Sequence, residues 1–172
     1  MGSSSRYTFE PLGDHDRGSF SSGVPELDNY LLHQATQDAK RKVAAPFVMV
    51  DSARHVIGYY TLSAYGIRLA ELPPEMVKRL PKYPLLPATM LGRLAVSKMH
   101  QGQKLGQILL MDALHRSLRN TKEVASIGVV AEAIDEAARK FYLHHEFVPL
   151  LEKPRKLFIA MKTIQNVFGA AR

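Results

Sequence analysis

The segment that most restricts the fold runs from Met90 to Glu132: "MLGRLAV", a loop carrying two glycines, a long stretch from Leu105 to Asn120, and then "SIGVVAE". In the long stretch Leu105, Ile108, Leu109, Met111, Ala113, Leu114 and Leu118 recur at helical spacing and give one broad apolar face. The two flanking runs read as strands, and the second is nearly continuously apolar, as in a strand covered on both faces. A helix joining two such strands makes them parallel neighbours with a right-handed crossover. Parallel strands need helices against the sheet, so the predicted class is α/β, one mixed central sheet flanked by helices.

Elements of the same kind extend on both sides. Residues 1–23 are polar and turn-rich. From Pro25, "PELDNYLLHQATQDAKRKVAA" reads as one helix, with Leu27, Tyr30, Leu31 and Ala35 on its apolar face, acids in its first turn and bases in its last. "PFVMV" and "VIGYYTLSAY" read as a hairpin around "DSARH". Tyr59, Tyr60 and Tyr65 on it are read as packing residues. Residues 66–90 hold Pro73, Pro74, Pro81, Pro84 and Pro87 around a short helix, "EMVKRL", a long connection of the kind that borders sites. "DEAARKFYLHHE" is a helix opened by Asp135 and Glu136, and "KLFIAMKTI" is a last strand.

At 172 residues the chain is expected to form a single domain, residues 1–172, with residues 1–5 either disordered or an added leader. With no cysteine, thiol catalysis and thiolate metal sites are excluded. No apolar run reaches the ~18 residues of a membrane span, and no signal peptide is evident, so a cytoplasmic location is expected. A net charge of +7 favours polyanionic partners such as RNA, DNA or phosphorylated cofactors.

The glycine loop, Gln101-Gly102-Gln103-Lys104-Leu105-Gly106, stands where a helix begins. A helix start presents unpaired N–H groups and partial positive charge, and glycine lets a phosphate approach the main chain. A tight turn needing no ligand explains the same two glycines. The phosphate loop G-x-x-x-x-G-K-[ST] is not matched, because Gln107 and Ile108 follow Gly106, and G-x-G-x-x-G is absent.

After "RLAV", this loop resembles the pyrophosphate-binding segment of the GNAT acetyltransferases, Gln/Arg-x-x-Gly-x-Gly/Ala. Gln101 and Gly106 match, whereas Lys104 stands where the family usually has glycine. The likeness continues through "GVPELD", "GYYTLS", "PATMLGRLAV" and "KFY", and from about Phe20 to Ile164 the chain is similar to the GNAT toxins of bacterial toxin–antitoxin pairs.

The resemblance implies the GNAT fold, with acetyl-coenzyme A bound in a V-shaped opening between the parallel strands "RLAV" and "SIGVVAE". Main-chain groups of Leu94, Ala95 and Val96 would pair with the pantetheine amides. Gln101, Gly102, Gln103, Lys104, Leu105, Gly106 and Gln107 would hold the pyrophosphate, with the adenosine end near the start of the next helix. Tyr142, in "KFY", matches the catalytic tyrosine, and a phenol of pKa ~10 stays protonated at neutral pH and can donate to a departing thiolate. The backbone N–H of Val96 is the candidate oxyanion donor. Arg93 is open to two readings, an arginine holding the RNA end or a salt bridge within the fold.

The toxin resemblance implies as acceptor the α-amino group of aminoacyl-tRNA, whose blockage halts translation. It also implies a ribbon-helix-helix antitoxin, operator DNA bound through the pair, and a homodimer. Candidate RNA contacts are Lys40, Arg41 and Lys42, then Lys78, Arg79 and Lys82, and the run Lys153, Arg155, Lys156, with a plain solvated surface as the other reading of each. His15, His33, His55, His100, His115, His144 and His145 show no metal-ligand spacing, so no metal is expected. Two other functions stay open: acetylation of a protein terminus or small amine, and a non-catalytic nucleic-acid-binding module on a GNAT scaffold, which Lys104 keeps in play.

Overall fold

A computed structural model describes residues 6–169, and the expectation for residues 1–5 falls outside them. In chain order the elements are β1 (Thr8–Pro11), α1 (Pro25–His33), α2 (Ala35–Lys40), β2 (Ala45–Val50), β3 (Val56–Ile67), α3 (Pro74–Val77) and β4 (Leu86–Val96). There follow α4 (Leu105–Asn120), β5 (Gly128–Glu132), α5 (Glu136–His144), β6 (Val148–Leu150), β7 (Lys153–Ala160) and α6 (Met161–Gly169). The strands form a seven-stranded sheet in the order β1-β2-β3-β4-β5-β7-β6. β4 and β5 are parallel, while the β1–β2, β2–β3, β5–β7 and β6–β7 pairs are antiparallel, so the sheet is mixed and the βαβ unit is present as expected.

By contact the chain divides into two compact units. One comprises Met1–Ser63 with Arg93–Ala113, the other Ala64–Gly92 with Leu114–Arg172.

In the first unit, Phe20, Tyr30, Leu31, Ala35, Val48, Val50, Val56, Tyr59 and Ala95 make one buried cluster. The β2–β3 hairpin is as predicted. β1 was not expected, because its four residues are exposed or half-buried and carry no apolar alternation; pairing with β2 (Thr8↔Val50 to Pro11↔Phe47) makes it a strand. The helix predicted from Pro25 is two helices, broken at Gln34 (φ −121°, ψ −30°). Leu31 O, which a continuous helix would offer to the Ala35 amide, accepts from Arg17 Nη1 at 2.9 Å, and Thr36 Oγ1 bonds Arg17 Nη2 at 2.6 Å. That arginine lies outside any local window, so periodicity alone could not reveal the break.

In the second unit, Ile67, Leu72, Leu86, Ala88, Val130, Leu150 and Phe158 form the buried cluster. Gly128 of β5 has no alternative: a Cβ there would sit 2.3 Å from Ile159 O and 2.5 Å from the Phe158 ring. Asp135 caps α5 as expected, its carboxylate accepting from Ala138 N at 2.8 Å, a contact worth about 1 kcal/mol.

Several boundaries differ from the sequence reading here. α3 is shorter than "EMVKRL", and β4 starts at Leu86, four residues before "MLGRLAV" (86 against 90), since Leu86 and Ala88 are buried and the Pro87 carbonyl accepts from Ile127 N. The strand predicted over "KLFIAMKTI" stops at Ala160, and Met161 opens α6. Met161 and Ile164 are both buried three residues apart, a spacing that serves a helix, and so short an apolar run does not separate the two periods. β6, three residues long, gave no local signal.

Candidate active site

The segment expected to bind the cofactor, residues 94–107, lies wholly in the first unit. β4 pairs with β5 from Thr89↔Val129 to Leu91↔Ala131, and β4 then continues to Val96 beyond the last paired residue. Ser97 N donates to Ile57 O at 2.8 Å, turning that residue toward β3. Strand alternation turns the main-chain groups of Val96 and Leu94 to the opposite edge. Of the three residues expected to meet pantetheine, Leu94 and Val96 thus have the suitable direction, and Ala95 faces β3. An extended amide chain fits such an edge as an added strand would.

The loop after β4 has left-handed backbone at two positions, Gly102 (φ +86°) and Lys104 (φ +60°). A Cβ on Gly102 would meet no atom within 4 Å, so the main chain there borders open space that an anion can enter. Lys104 takes the conformation that glycine takes most readily, at a cost of about 1–2 kcal/mol. Its carbonyl accepts from Ile108 N, so it stands directly before the first turn of α4, and lysine has no acceptor with which to cap the following N–H groups. Gln101, Gly102, Gln103 and Lys104 are exposed, as is Gln107; Gly106 is half-buried, and Leu105 is buried in the core. The residues therefore suit a diphosphate, held by backbone N–H groups and the Lys104 charge.

Gln101 has a different part. Its Nε2 donates to Ser22 O and Val96 O, both at 3.0 Å, which ties the loop to β4 and to the segment before α1. Ser22 is held by Asp28, whose Oδ1 accepts from Ser22 N at 2.8 Å and Ser22 Oγ at 2.7 Å, and Lys98 N donates to Ser21 O. "SGVPELD" is thus a buttress for the glycine loop, a role the sequence did not disclose. Its signal was present in Ser22 and Asp28, short polar residues bracketing the start of a helix. His100, just before Gln101, has a buried Nδ1 without a hydrogen-bond partner.

Arg93 makes no salt bridge among the described residues, which removes that reading. Its guanidinium carbon lies 3.6 Å from the centroid of the Tyr30 ring. Tyr30 donates to Asp38 Oδ2 at 2.9 Å. Burial and that carboxylate together push the Tyr30 phenol up to about 12, with Arg93 opposing them. Tyr59 lies parallel to Tyr30, 6.2 Å away, and donates to Leu27 O. The three hairpin tyrosines pack, as predicted: Tyr59 and Tyr60 are fully buried, and Tyr65 is half-buried against the second cluster, where its hydroxyl accepts from Lys156 Nζ.

Tyr142 lies in the second unit, on α5, 4% exposed, with Phe141 and Phe147 at centroid distances of 5.4 and 5.1 Å. Burial alone raises its pKa well above 10.0, so the hydroxyl keeps its proton throughout the physiological range. It is both a core residue and a competent donor.

The basic segments divide. Lys40, Arg41 and Lys42 are exposed, and so are Lys78, Arg79 and Lys82. Within the third run, Lys153 pairs with Glu71, Lys156 bonds Tyr65, and Arg155 donates to Ile134 O. The described residues contain no group of three or more side chains able to hold a metal ion and no helix long and apolar enough to span a membrane.

The model of the Acetyltransferase (GNAT) family matches residues 10–147, and the chain belongs to this family. It is 32% identical to the tRNA-acetylating toxin of Mycobacterium tuberculosis, over 90% of this chain and 91% of that protein. Two solved structures superpose closely. AtaT complexed with acetyl-methionyl-tRNAfMet has a TM-score of 0.87 and 30% identity, covering 94% of this chain and 99% of the other. AtaTR bound with acetyl-coenzyme A has a TM-score of 0.84 and 29% identity, covering 95% and 99%. Similar chains have also been solved as a toxin bound to the C-terminus of the antitoxin AtaR and as the KacTA–DNA complex.

Proposed function

We propose that the protein is an acetyl-coenzyme A-dependent N-acetyltransferase acting on the α-amino group of aminoacyl-tRNA, a toxin that blocks translation. The observation that carries the chemistry is the run from β4 to α4: a strand continuing past its last parallel pair, then open left-handed backbone at Gly102 just before the start of α4. The substrate rests on the likeness to a tRNA-acetylating toxin over nine-tenths of both chains.

Acetyl-coenzyme A supplies an activated acyl carbon with a thiolate leaving group. The N–H groups around Gly102 to Gly106, with Lys104, hold its diphosphate, and Leu94 and Val96 align its amides. Val96 N–H, on the edge of β4 turned away from β3, would receive the oxyanion. The acceptor α-amine, with a pKa of about 7.7–8.0, is already partly neutral at pH 7, so no strong base is required. Tyr142 holds the proton that the departing sulfur needs. Lys104 is compatible with such a cradle, since its backbone is left-handed as a glycine's would be and the residue is exposed.

The exposed cations at Lys40–Lys42 and Lys78–Lys82 are proposed to meet RNA phosphates, whereas the third run is engaged within the protein. A ribbon-helix-helix antitoxin, operator binding through the complex, a homodimer and a cytoplasmic site of action complete the proposal, in line with the antitoxin and DNA complexes of similar chains.

The test incubates the protein with acetyl-coenzyme A and a charged tRNA pool and measures acetylated aminoacyl-adenosine by mass spectrometry. Product is expected from the wild type. Its absence, with acetyl-coenzyme A bound in a thermal-shift assay, would reassign the acceptor to a protein terminus or small amine; absence of cofactor binding would reduce the chain to a binding module.

A further inference from the structure

Three consecutive residues before α1, Ser21, Ser22 and Gly23, form a footing for the loop after β4, all within the first unit. Ser21 O accepts from Lys98 N at 2.7 Å, and Ser22 O accepts from Gln101 Nε2 at 3.0 Å. Gly23 has φ +93°, and the Lys98 stem lies against it, 3.3 Å from where a Cβ would stand. Left-handed backbone and that close approach both call for glycine.

Gln101 uses both hydrogens of its amide, the second on Val96 O at 3.0 Å. Val96 O and Ser97 N belong to one peptide group, and Ser97 N donates to Ile57 O at 2.8 Å. The last peptide of β4 is therefore held at one end by β3 and at the other by Gln101. A single side chain fixes the end of the strand expected to align pantetheine and the start of the loop expected to hold the diphosphate.

Behind Gln101 stands Asp28. Its Oδ1 accepts from Ser22 N at 2.8 Å and from Ser22 Oγ at 2.7 Å, and Ser22 is 7% exposed. A carboxylate close to a binding place for a polyanion opposes that binding by its charge. Its use here is to aim the Ser22 carbonyl at Gln101, a role in which the acceptor matters and the charge does not.

We propose that Asp28 is a positioning residue for acetyl-coenzyme A, acting through Ser22 and Gln101 to hold the diphosphate loop in place beside the end of β4. This rests on the acetyl-coenzyme A reading above. It adds a residue that acts on the cofactor only through others.

The test measures affinity for acetyl-coenzyme A and for acetyl-pantetheine, which lacks the diphosphate and nucleotide, by displacement of a fluorescent coenzyme A, without any acetyl transfer. Asp28→Ala and Gln101→Leu should each weaken acetyl-coenzyme A about 10-fold and leave acetyl-pantetheine within about two-fold of wild type. Asp28→Asn keeps an acceptor for both Ser22 donors and sheds the charge, so it should bind acetyl-coenzyme A at least as tightly as wild type. The double variant Asp28→Ala with Gln101→Leu should be no weaker than Gln101→Leu alone, because both act along one chain of bonds. Equal losses for the two donors would assign these bonds to general stability and overturn the proposal. Asp28→Ala binding acetyl-coenzyme A more tightly than wild type, the result that charge alone predicts, would overturn it too. If Asp28→Ala does not fold, Gln101→Leu, a change at an exposed residue, still decides: unchanged acetyl-coenzyme A affinity refutes the proposal and leaves the cofactor reading standing. Wild type that binds neither donor would overturn both.

Discussion

The loop of residues 97–106 and the aromatic nest around Tyr142 are built on opposite physical plans. The loop is exposed from Gln101 to Lys104, has left-handed backbone at Gly102 and Lys104, and is held by a few polar bonds from Gln101, Ser22 and Asp28. Tyr142 is packed among rings, and nothing but burial perturbs its hydroxyl. An anion of high charge must be met by backbone donors reachable from solvent, and such donors cannot be packed over. A proton that must be retained until sulfur departs is best kept in a dry environment that disfavours the phenolate. One region therefore trades local stability for access, and the other trades access for a fixed protonation state.

The largest expected effect separates function from packing in the nest. Tyr142→Phe keeps the ring and should cost little stability, while kcat for acetyl transfer falls about 10²–10³-fold. A variant as active as wild type would leave the residue as core alone. The pH profile sharpens the same point. The rate should rise as the acceptor amine deprotonates near pH 8, and because burial raises rather than lowers the Tyr142 pKa, no fall should follow until above its ordinary 10.0. A basic limb near pH 9 would mean that another acid is at work.

In the loop, Gly102→Val places a β-branched residue at φ +86° and narrows the approach to the main chain. Acetyl-coenzyme A should bind about 10-fold more weakly, with tRNA affinity unchanged. Lys104→Gly probes the trade directly: relief of left-handed strain should raise the thermal midpoint by about 2–4 °C. Loss of the charge before α4 should weaken acetyl-coenzyme A about 2- to 5-fold. If both quantities improve, the lysine is not a cofactor contact.

The smallest effect concerns Glu71 and Lys153, in the same unit as Tyr142. Partial burial acts to raise the Glu71 pKa, but the hydrogen bond and charge of Lys153, with Arg68, bring it below 4.5. A lowered carboxyl pKa gives stability that is fully present above 4.5 and is lost as pH falls through the folded value. Glu71→Gln should therefore melt about 1–3 °C lower at pH 7 and converge with wild type near pH 3 in calorimetry.

What local chemistry can encode was legible in the residues. The parallel βαβ unit, the hairpin, the Asp135 cap and the glycine loop before α4 follow from periodicity, end preferences and φ tolerance, each confined to a few neighbouring positions. The family pattern likewise singled out Gln101, Gly106 and Tyr142. What the tertiary structure alone decided depends on partners far along the chain. Arg17 takes up the Leu31 carbonyl where the first helix breaks, β2 recruits residues 8–11 as a strand, Asp28 reaches through Ser22 to Gln101, and Tyr30 lies beneath Arg93. Such contacts depend on where the folded backbone brings distant side chains, and no periodicity along the sequence records that.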